Sequence, residues 1–214
     1  MWGENMRDRY YVMIAGIGGQ GTVLLSRIIG DAALLKGLHV RIGETYGAAM
    51  RGGAVHSHVK IGKEVYSPLL MEDQADALLA LEPLEGLRRG LLYLKPGGIV
   101  VLNTRVIYPI DVNVGAADYP SIDVIINSLK RLGASRMVVH DFTALAEKAG
   151  SSRVMNVAVL GAFARLIEGT DAPIDKDPLI EAIKSRVPAR WLEVNLKAFE
   201  LGYKVADEYL RKGK

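Results

Sequence analysis

The sequence predicts an α/β protein of three layers, with helices on both faces of a mixed, largely parallel sheet and a helical C-terminal extension. Three observations predict this fold. A nearly continuous apolar segment, Tyr10–Ile17, leads directly into a glycine loop and then into an amphipathic helix. Short apolar segments then alternate with helical patterns as far as about position 167. Beyond about position 170 the patterns are helical only.

Length and composition narrow the possible classes of protein. The 214 residues fit a single domain, 1–214, whose helical extension covers about 170–214. The chain has no cysteine, which excludes a disulfide scaffold, a cysteine nucleophile and thiolate ligands for zinc or an iron–sulfur cluster. A net charge of +3 from scattered basic residues does not indicate nucleic-acid binding. The apolar segments are too short to span a membrane and no signal peptide is evident, so we expect a cytoplasmic protein.

The first elements form a unit of strand, glycine loop, helix and strand. Tyr10–Ile17 is rich in β-forming residues, as expected for a strand buried on both faces. After the loop, apolar residues recur at helical spacing until Gly37, which ends the helix. Leu38–Ile42 is the second strand, so the spacing predicts a βαβ unit.

The middle of the chain mixes loops and strands. Gly43–Gly53 has no periodicity and is interpreted as a long ordered loop. Val55–Ile61 and Glu64–Tyr66 are predicted to form an antiparallel hairpin through Gly62 and Lys63. The pattern then predicts a strand, a helix, a strand and one further short strand, in the order Ala75–Leu81, Glu82–Leu94, Ile99–Asn103 and Ile110–Val114.

The last part is mainly helical. Ser121 is the expected N-cap of a helix that reaches Leu132. A strand, a short helix, a buried helix and an amphipathic helix follow, at Met137–His140, Thr143–Ala149, Arg153–Ile167 and Asp175–Arg186. The final helix has apolar residues at steps of four and three from Leu192 to Leu210. This apolar stripe is suited to packing on its own domain or on a partner subunit.

The glycine loop is the first candidate site. Gly16, Gly18 and Gly21 have the spacing of a dinucleotide-binding loop, and a buried strand precedes them. Glu44 lies 23 residues after Gly21, where a ribose-binding acid is expected. Thr22 occupies the position where an ATP-binding P-loop needs lysine. Taken alone, the loop fits nucleotide binding and plain tight packing about equally well.

Tyr46, Arg51, Gly52 and Gly53 form the second candidate site. An arginine in a glycine-rich loop beside a helix N-terminus can hold a phosphate or carboxylate with two hydrogen bonds. The alternative is a surface loop in which Arg51 is solvated or pairs with Glu44.

Two further polar features are weaker candidates. His56 and His58 share one face of a predicted strand, but no third metal ligand is evident near them. Asn156 interrupts an apolar helix, and we expect it to form hydrogen bonds inside the fold or at an interface.

The assembled motifs resemble the gamma-type domain of 2-oxoacid:ferredoxin oxidoreductases. The resemblance rests on Gly16-Ile17-Gly18-Gly19-Gln20-Gly21, Tyr46-Gly47 with Arg51-Gly52-Gly53, and Asn156 with Leu160-Gly161-Ala162. Within that family, Tyr119-Pro120-Ser121-Ile122-Asp123, Val187-Pro188 and the run from Asn195 to Gly202 are similar to the beta subunits of archaeal indolepyruvate:ferredoxin oxidoreductases. The similarity covers essentially the whole chain.

The resemblance implies one subunit of an enzyme that oxidatively decarboxylates aryl 2-oxoacids to acyl-coenzyme A in aromatic amino-acid catabolism. Thiamine diphosphate, magnesium and 4Fe-4S clusters are then expected on a catalytic alpha subunit, with ferredoxin reached through the complex and coenzyme A as co-substrate. The present chain agrees, because it lacks cysteine and its Gly30-Asp31 is followed by Ala32 rather than by a glycine. The isolated chain is expected to be inactive.

For the chain itself the resemblance implies no catalytic residue and no resident cofactor. The expected cofactor-contacting residues are those of the two candidate sites: Gly16, Gly18, Gly19, Gln20, Gly21, Tyr46, Arg51, Gly52 and Gly53. Two other functions stay open at this point. One is an NAD(P)-binding oxidoreductase domain, and the other is a scaffold subunit that binds no small molecule.

Overall fold

The sheet is the centre of the molecule. The computed structural model describes residues 8–46, 52–108 and 110–212. Six strands pair in the order β2-β3-β1-β4-β5-β6. Their bounds are Arg9–Ile17 (β1), His39–Tyr46 (β2), Ala54–Gly62 (β3), Ala75–Ala80 (β4), Leu94–Asn103 (β5) and Arg136–His140 (β6).

The pairings confirm a mixed, largely parallel sheet. β1, β4, β5 and β6 are parallel neighbours, whereas β3 is antiparallel to both β1 and β2. β1 and β2 therefore run in the same direction, as the predicted βαβ unit requires, but β3 lies between them.

The predicted hairpin between Val55–Ile61 and Glu64–Tyr66 is wrong. β3 uses one edge to pair with β1 and the other to pair with β2. It has no open edge left for a further strand, so Glu64–Tyr66 lies outside the sheet. The interpretation of Gly43–Gly53 as a loop is also partly wrong, because β2 continues to Tyr46.

Helices cover both faces of the sheet. One apolar cluster joins α1, α5, α6, α7 and α8 to one face, and a second joins α2 and α4 to the other. The three-layer prediction is thereby confirmed. The helices are Thr22–Leu35 (α1), Pro83–Tyr93 (α2), Ile110–Asn113 (α3), Ile122–Arg131 (α4), Phe142–Ala149 (α5), Met155–Ile167 (α6), Lys176–Arg186 (α7) and Ala189–Lys212 (α8).

Two local predictions have different outcomes. The hydroxyl of Ser121 accepts a hydrogen bond from the backbone N–H of Val124, which confirms Ser121 as the N-cap of α4. The predicted strand Ile110–Val114 is wrong, because Ile110–Asn113 forms the short helix α3. A strand needs a neighbouring strand, while Pro109 precedes this segment in the sequence and favours the first turn of a helix.

The C-terminal helix packs on its own domain. Gly161 of α6 faces the backbone of Phe199 in α8, and Gly202 of α8 faces the backbone of Ala158 in α6. At both glycines a Cβ atom would overlap the facing carbonyl oxygen, so these two helices meet at backbone distance. None of the helices in the described ranges combines the length and the hydropathy that a bilayer-spanning segment needs.

Candidate functional site

The carboxyl ends of the parallel strands gather the candidate residues. The glycine loop follows β1, Leu81 follows β4, and Asn103 ends β5. α1 leaves β1 toward one face of the sheet, and α2 leaves β4 toward the other. The boundary between β1 and β4 is therefore a topological switch point, where α/β proteins of this type bind ligands.

Two residues of the glycine loop fix its shape. The side chain of Gln20 accepts a hydrogen bond from the N–H of Ile17 at 2.8 Å and donates one to the carbonyl of Leu81 at 3.1 Å. A Cβ at Gly16 would lie 2.7 Å from Oε1 of Gln20. Gln20 and Gly16 thus support the loop, and the side-chain oxygen and amide nitrogen of Gln20 are already engaged there.

Asn156 anchors the loop from the opposite helix. It is the second residue of α6, is 2% exposed, and donates a hydrogen bond from Nδ2 to the carbonyl of Gly21 at 3.2 Å. Gly21 has a φ of 81°, and a Cβ there would overlap Nδ2 of Asn156. The expectation that Asn156 forms hydrogen bonds inside the fold is confirmed.

The N-terminus of α1 has no side-chain cap. Gly21 is the N-cap residue, it makes no side-chain hydrogen bond, and the first turn carries no acidic residue. The first N–H groups of the helix therefore point toward the carboxyl edge of the sheet without a side-chain acceptor. Together with the helix dipole, they favour an anion at this point.

The structure joins parts of the two predicted sites. The N–H of Gly18 donates to the carbonyl of Gly53 at 2.9 Å. Gly52, with a φ of 76°, adopts a conformation that favours glycine. Arg51 lies outside the described residues.

Tyr46 lies apart from the glycine loop. It pairs with Val55, which pairs in turn with Gly16, so two strand spacings of roughly 10 Å in total separate Tyr46 from the loop. Its exposed hydroxyl donates a hydrogen bond to the carboxylate of Glu44, and this bond raises the pKa of Tyr46. Because β3 lies between β1 and β2, Glu44 is about as far from the glycine loop as Tyr46 is. Glu44 therefore does not occupy the position of a ribose-binding acid.

A cleft beside the loop contains two arginines that the sequence analysis missed. This glycine-loop cleft has a volume of about 220 Å³ and is lined by Gly19, Gln20, Arg105, Ile107, Thr143, Ser152, Arg153 and Met155. Arg105 pairs with Asp141 at 3.1 Å, whereas Arg153 has no ion pair within the described ranges. In the sequence, Arg105 could have been identified by its position just after β5. Arg153 could have been identified by its position just before the buried helix α6.

A buried carboxylate just after β4 caps α2, the helix on the face of the sheet opposite α1. Glu82 accepts hydrogen bonds from the N–H of Glu85 at 2.9 Å and from the hydroxyl of Tyr119 at 2.5 Å. Burial raises the pKa of Glu82, and burial together with the carboxylate raises the pKa of Tyr119. These bonds make Glu82 the N-cap of α2 rather than a free acid or base.

His56 and His58 form a buried pair under α2. Their ring centroids are 5.2 Å apart, and Nδ1 of His58 accepts a hydrogen bond from the N–H of Leu70 at 3.1 Å. Burial lowers the pKa of both histidines to about 4. The part of the chain that the structure describes brings no third metal-ligating side chain to this pair.

The arrangement defines a class of α/β protein that presents a glycine loop and an open helix N-terminus at the carboxyl edge of its sheet. The family of pyruvate ferredoxin/flavodoxin oxidoreductases matches residues 11–205. The chain belongs to this family, and the relatives that it matches are named as subunits of oxidoreductases. The family resemblance seen in the motifs is thereby confirmed.

Individual relatives agree in length and fold. The chain is 37% identical over 201 residues to indolepyruvate oxidoreductase subunit IorB of Thermococcus kodakarensis, covering 94% of this chain and 98% of that one. It is 40% identical over 198 residues to the IorB subunit of Archaeoglobus fulgidus, covering 92% and 96%. A gamma subunit of a keto/oxoacid ferredoxin oxidoreductase from Geobacter sulfurreducens superposes with a TM-score of 0.66 at 27% identity, covering 93% and 99%.

Proposed function

We propose that this chain is the subunit without redox centres in a ferredoxin-dependent oxidoreductase that converts aryl 2-oxoacids, such as indolepyruvate, into acyl-coenzyme A. Its place is then in aromatic amino-acid catabolism in the cytoplasm. The observation that carries the proposal is the similarity to IorB subunits at 37% and 40% identity over more than 90% of the chain.

The redox chemistry belongs to the partner in this proposal. The chain has no cysteine for an iron–sulfur cluster, and its described residues offer no group of three or more metal-ligating side chains. Its residues thus do not fit thiamine diphosphate magnesium or a cluster. Thiamine diphosphate, its magnesium and the clusters are assigned to a catalytic alpha subunit, which transfers electrons to ferredoxin. Nucleic acid and membrane have no part in this function.

The chain's own part is to hold an anionic portion of coenzyme A at the subunit interface. The open N-terminus of α1, the Gly18–Gly53 hydrogen bond and the unpaired Arg153 support this role within the described ranges. Gly16 and Gln20 shape the loop, Gly18, Gly19, Gly21, Gly52 and Gly53 present backbone to the ligand, and Arg51 supplies charge. The role of Tyr46 in ligand binding stays a prediction, since its hydroxyl already donates a hydrogen bond to Glu44. Residues 1–214 act as one gamma-type domain.

Co-expression with candidate alpha subunits tests the function. The purified complex is assayed for ferredoxin reduction with indolepyruvate, phenylpyruvate, hydroxyphenylpyruvate and aliphatic 2-oxoacids, with and without coenzyme A. We expect reduction with aryl substrates that depends on coenzyme A. A complex active only on aliphatic 2-oxoacids would contradict the assignment of aryl substrates.

Arg51 offers a test of the chain's own role. In the assembled enzyme, Arg51→Ala is expected to raise the KM for coenzyme A, and Arg51→Lys to raise it less. Arg211→Ala is a matched control, because Arg211 is an exposed arginine at the far end of α8. An unchanged coenzyme A dependence in Arg51→Ala would remove Arg51 from the site.

The geometry disfavours the NAD(P)-binding alternative. In a dinucleotide-binding fold the acid after the second strand approaches the ribose because that strand neighbours the first. Here β3 separates β2 from β1, so Glu44 lies one strand too far away. Calorimetric titration with NADH checks this point, since a micromolar site would revive the alternative.

The other alternative is a scaffold subunit that binds no small molecule. Such a subunit would show no ligand-induced shift in melting temperature.

A further inference from the structure

The two edge strands of the sheet differ in how they are protected. β6, at one edge, has five residues, and the hydroxyl of Tyr209 donates a hydrogen bond to the carbonyl of Val139 on this strand. β2, at the other edge, has eight residues, and all of them pair regularly with β3, without a bulge or a proline. A long and regular edge strand is a template on which another chain can add a strand.

The outer edge of β2 is almost unused within the described ranges. A strand that pairs on one side only leaves every second N–H and C=O group pointing away from its neighbour. In the part of the chain that the structure describes, one hydrogen bond reaches the backbone of β2 from outside its pairing with β3. The guanidinium of Arg41 donates it to the carbonyl of Val40 at 3.0 Å. The remaining outward groups can pair with an added strand.

Exposed leucines flank this edge on both faces of the sheet. Gly30 of α1 faces Ile42, and Leu34, one helical turn further along the same side of α1, is 58% exposed. Gly43, the next residue of β2, points to the opposite face, where Leu69 lies against it and is 51% exposed. A strand added to β2 would remove apolar surface of both leucines from water.

Arg41 lies on the same face as Leu69 and has a like charge beside it. It pairs with Lys60 of β3, so the two side chains stand directly opposite each other, an arrangement that is destabilising for like charges. Neither has a carboxylate partner within the described ranges, since Nζ of Lys60 donates to the carbonyl of Leu69 at 3.3 Å and lies 4.9 Å from the ring centroid of Tyr11. An acidic residue on an added strand, beside Arg41, would relieve this excess of positive charge.

A second copy of this chain would not supply that acid through β2. In an antiparallel pair of two identical edge strands, the residues of one face meet only residues of the same face. Arg41 would then lie opposite His39, Arg41, Gly43 or Thr45, and none of these is acidic. Glu44, the acidic residue of β2, points to the other face. The charge pattern therefore favours a different chain.

We infer that the outer edge of β2 binds an extended segment of the catalytic subunit as a further strand of the sheet. The segment carries an acidic residue opposite Arg41 and a large apolar residue opposite Gly43, where it covers Leu69. One residue separates these two positions in the segment, because they share one face. That residue is apolar and faces the side of α1 that carries Leu34. The inference rests on the proposed function only for the identity of the partner as the catalytic subunit.

The first test measures assembly of the full chain with the co-expressed catalytic subunit. Arg41→Glu places a carboxylate opposite Lys60, so this variant alone should melt no lower than the wild type. Its repulsion of the acidic segment should nevertheless raise the dissociation constant of the complex about tenfold or more. Arg41→Lys keeps the charge and should stay near the wild-type value. Arg131→Glu is the matched control, because it reverses an exposed arginine at the end of α4.

The apolar part of the interface has its own variant. Leu69→Ala is expected to raise the dissociation constant about threefold to tenfold, because about half of the side chain is left to be buried by the segment. Leu91→Ala removes another exposed leucine, on α2, and should leave assembly unchanged.

Hydrogen–deuterium exchange reports on the strand itself. Every second N–H group of β2 should exchange rapidly in the chain alone and slowly in the complex, whereas β6 should change little. If β2 instead becomes protected in the chain alone as its concentration rises, with a dimer mass in light scattering, the edge belongs to a second copy and the inference is overturned.

Two results separate the inference from the proposed function. If Arg41→Glu and Leu69→Ala assemble like the wild type and β2 gains no protection in the complex, the inference is overturned whatever the activity of the complex. If β2 gains protection and Arg41→Glu weakens assembly, but the wild-type complex forms no acyl-coenzyme A from any aryl 2-oxoacid, the proposed function fails and the β2 interface stands.

Discussion

The side-chain amide of Asn156 donates a hydrogen bond to the carbonyl of Gly21 at 3.2 Å, joining two residues that are 135 positions apart. The bond ties the start of α6 to the start of α1. It fixes the glycine loop from the side opposite Gln20, whose bonds reach Ile17 and Leu81. Loop shape therefore depends on one amide side chain from each side of the loop.

Replacing Asn156 tests this anchor. Asn156→Ala removes the donor, although the carbonyl of Gly21 still accepts from the N–H of Leu25. We expect a loss of about 1 kcal/mol in the free energy of unfolding, measured in urea. Asn156→Asp should cost more, because it places a buried carboxylate beside a carbonyl oxygen. Asn113→Ala, at an exposed position, is the control, and equal losses in all three variants would contradict the role of Asn156.

Gly21 and Gly19 should respond differently to alanine. Both have positive φ, 81° at Gly21 and 102° at Gly19, so backbone strain should lower the free energy of unfolding of both alanine variants by about 1–2 kcal/mol. Only at Gly21 does the new Cβ also overlap Nδ2 of Asn156, whereas at Gly19 nothing lies within 4 Å. Gly21→Ala should therefore be the less stable variant. Combining Gly21→Ala with Asn156→Ala should remove the overlap, so additive losses in a double-mutant cycle would contradict this account.

Local chemistry made much of the fold predictable. The buried strand Tyr10–Ile17, the N-cap at Ser121 and the buried helix after Arg153 follow from patterns of a few neighbouring residues. The place of β3 depends on pairing with strands far along the chain. Its alternation of residues shows a strand but not its neighbours, so the sequence led to a hairpin that β3 has no free edge to form.

The candidate site was predictable only in part for a similar reason. The glycine spacing marks the loop and the helix N-terminus, which are continuous in sequence. Arg105 and Arg153 reach the same cleft from the end of β5 and the start of α6, and no local pattern links them. Trp191 lines a cavity together with Leu24 and Asn156 only because α8 packs beside α6.

The contact between α6 and α8 should tolerate no added methyl group. Gly161→Ala and Gly202→Ala each place a Cβ on a backbone carbonyl oxygen, of Phe199 and Ala158 respectively. We expect a loss of about 3 kcal/mol or more in the free energy of unfolding, since a backbone cannot yield as a side chain does. Gly30→Ala in α1 is the matched helical control, because the nearest atoms to its Cβ belong to side chains, Cδ1 of Ile42 at 3.1 Å and Cγ1 of Val40 at 3.4 Å, rather than to a backbone. A control as unstable as the two variants would contradict the argument.

Stability should fall in mild acid because of His56 and His58. Burial lowers their pKa from the ordinary 6.5 to about 4, so the folded chain binds fewer protons than the unfolded chain between these values. Their contribution to stability is present above pH 6.5 and is lost as the pH falls toward 4, by up to about 1.4 kcal/mol per pH unit for each histidine.

Urea unfolding of the wild type and of His56→Gln/His58→Asn between pH 7 and 4.5 measures this slope. Asparagine at position 58 keeps an acceptor for the N–H of Leu70, so the double variant should retain the fold while its stability changes less with pH. His39→Gln, at an exposed position on β2, should keep the wild-type slope. If the double variant loses stability as steeply as the wild type, the acid sensitivity has its origin in the carboxylates and not in this buried pair.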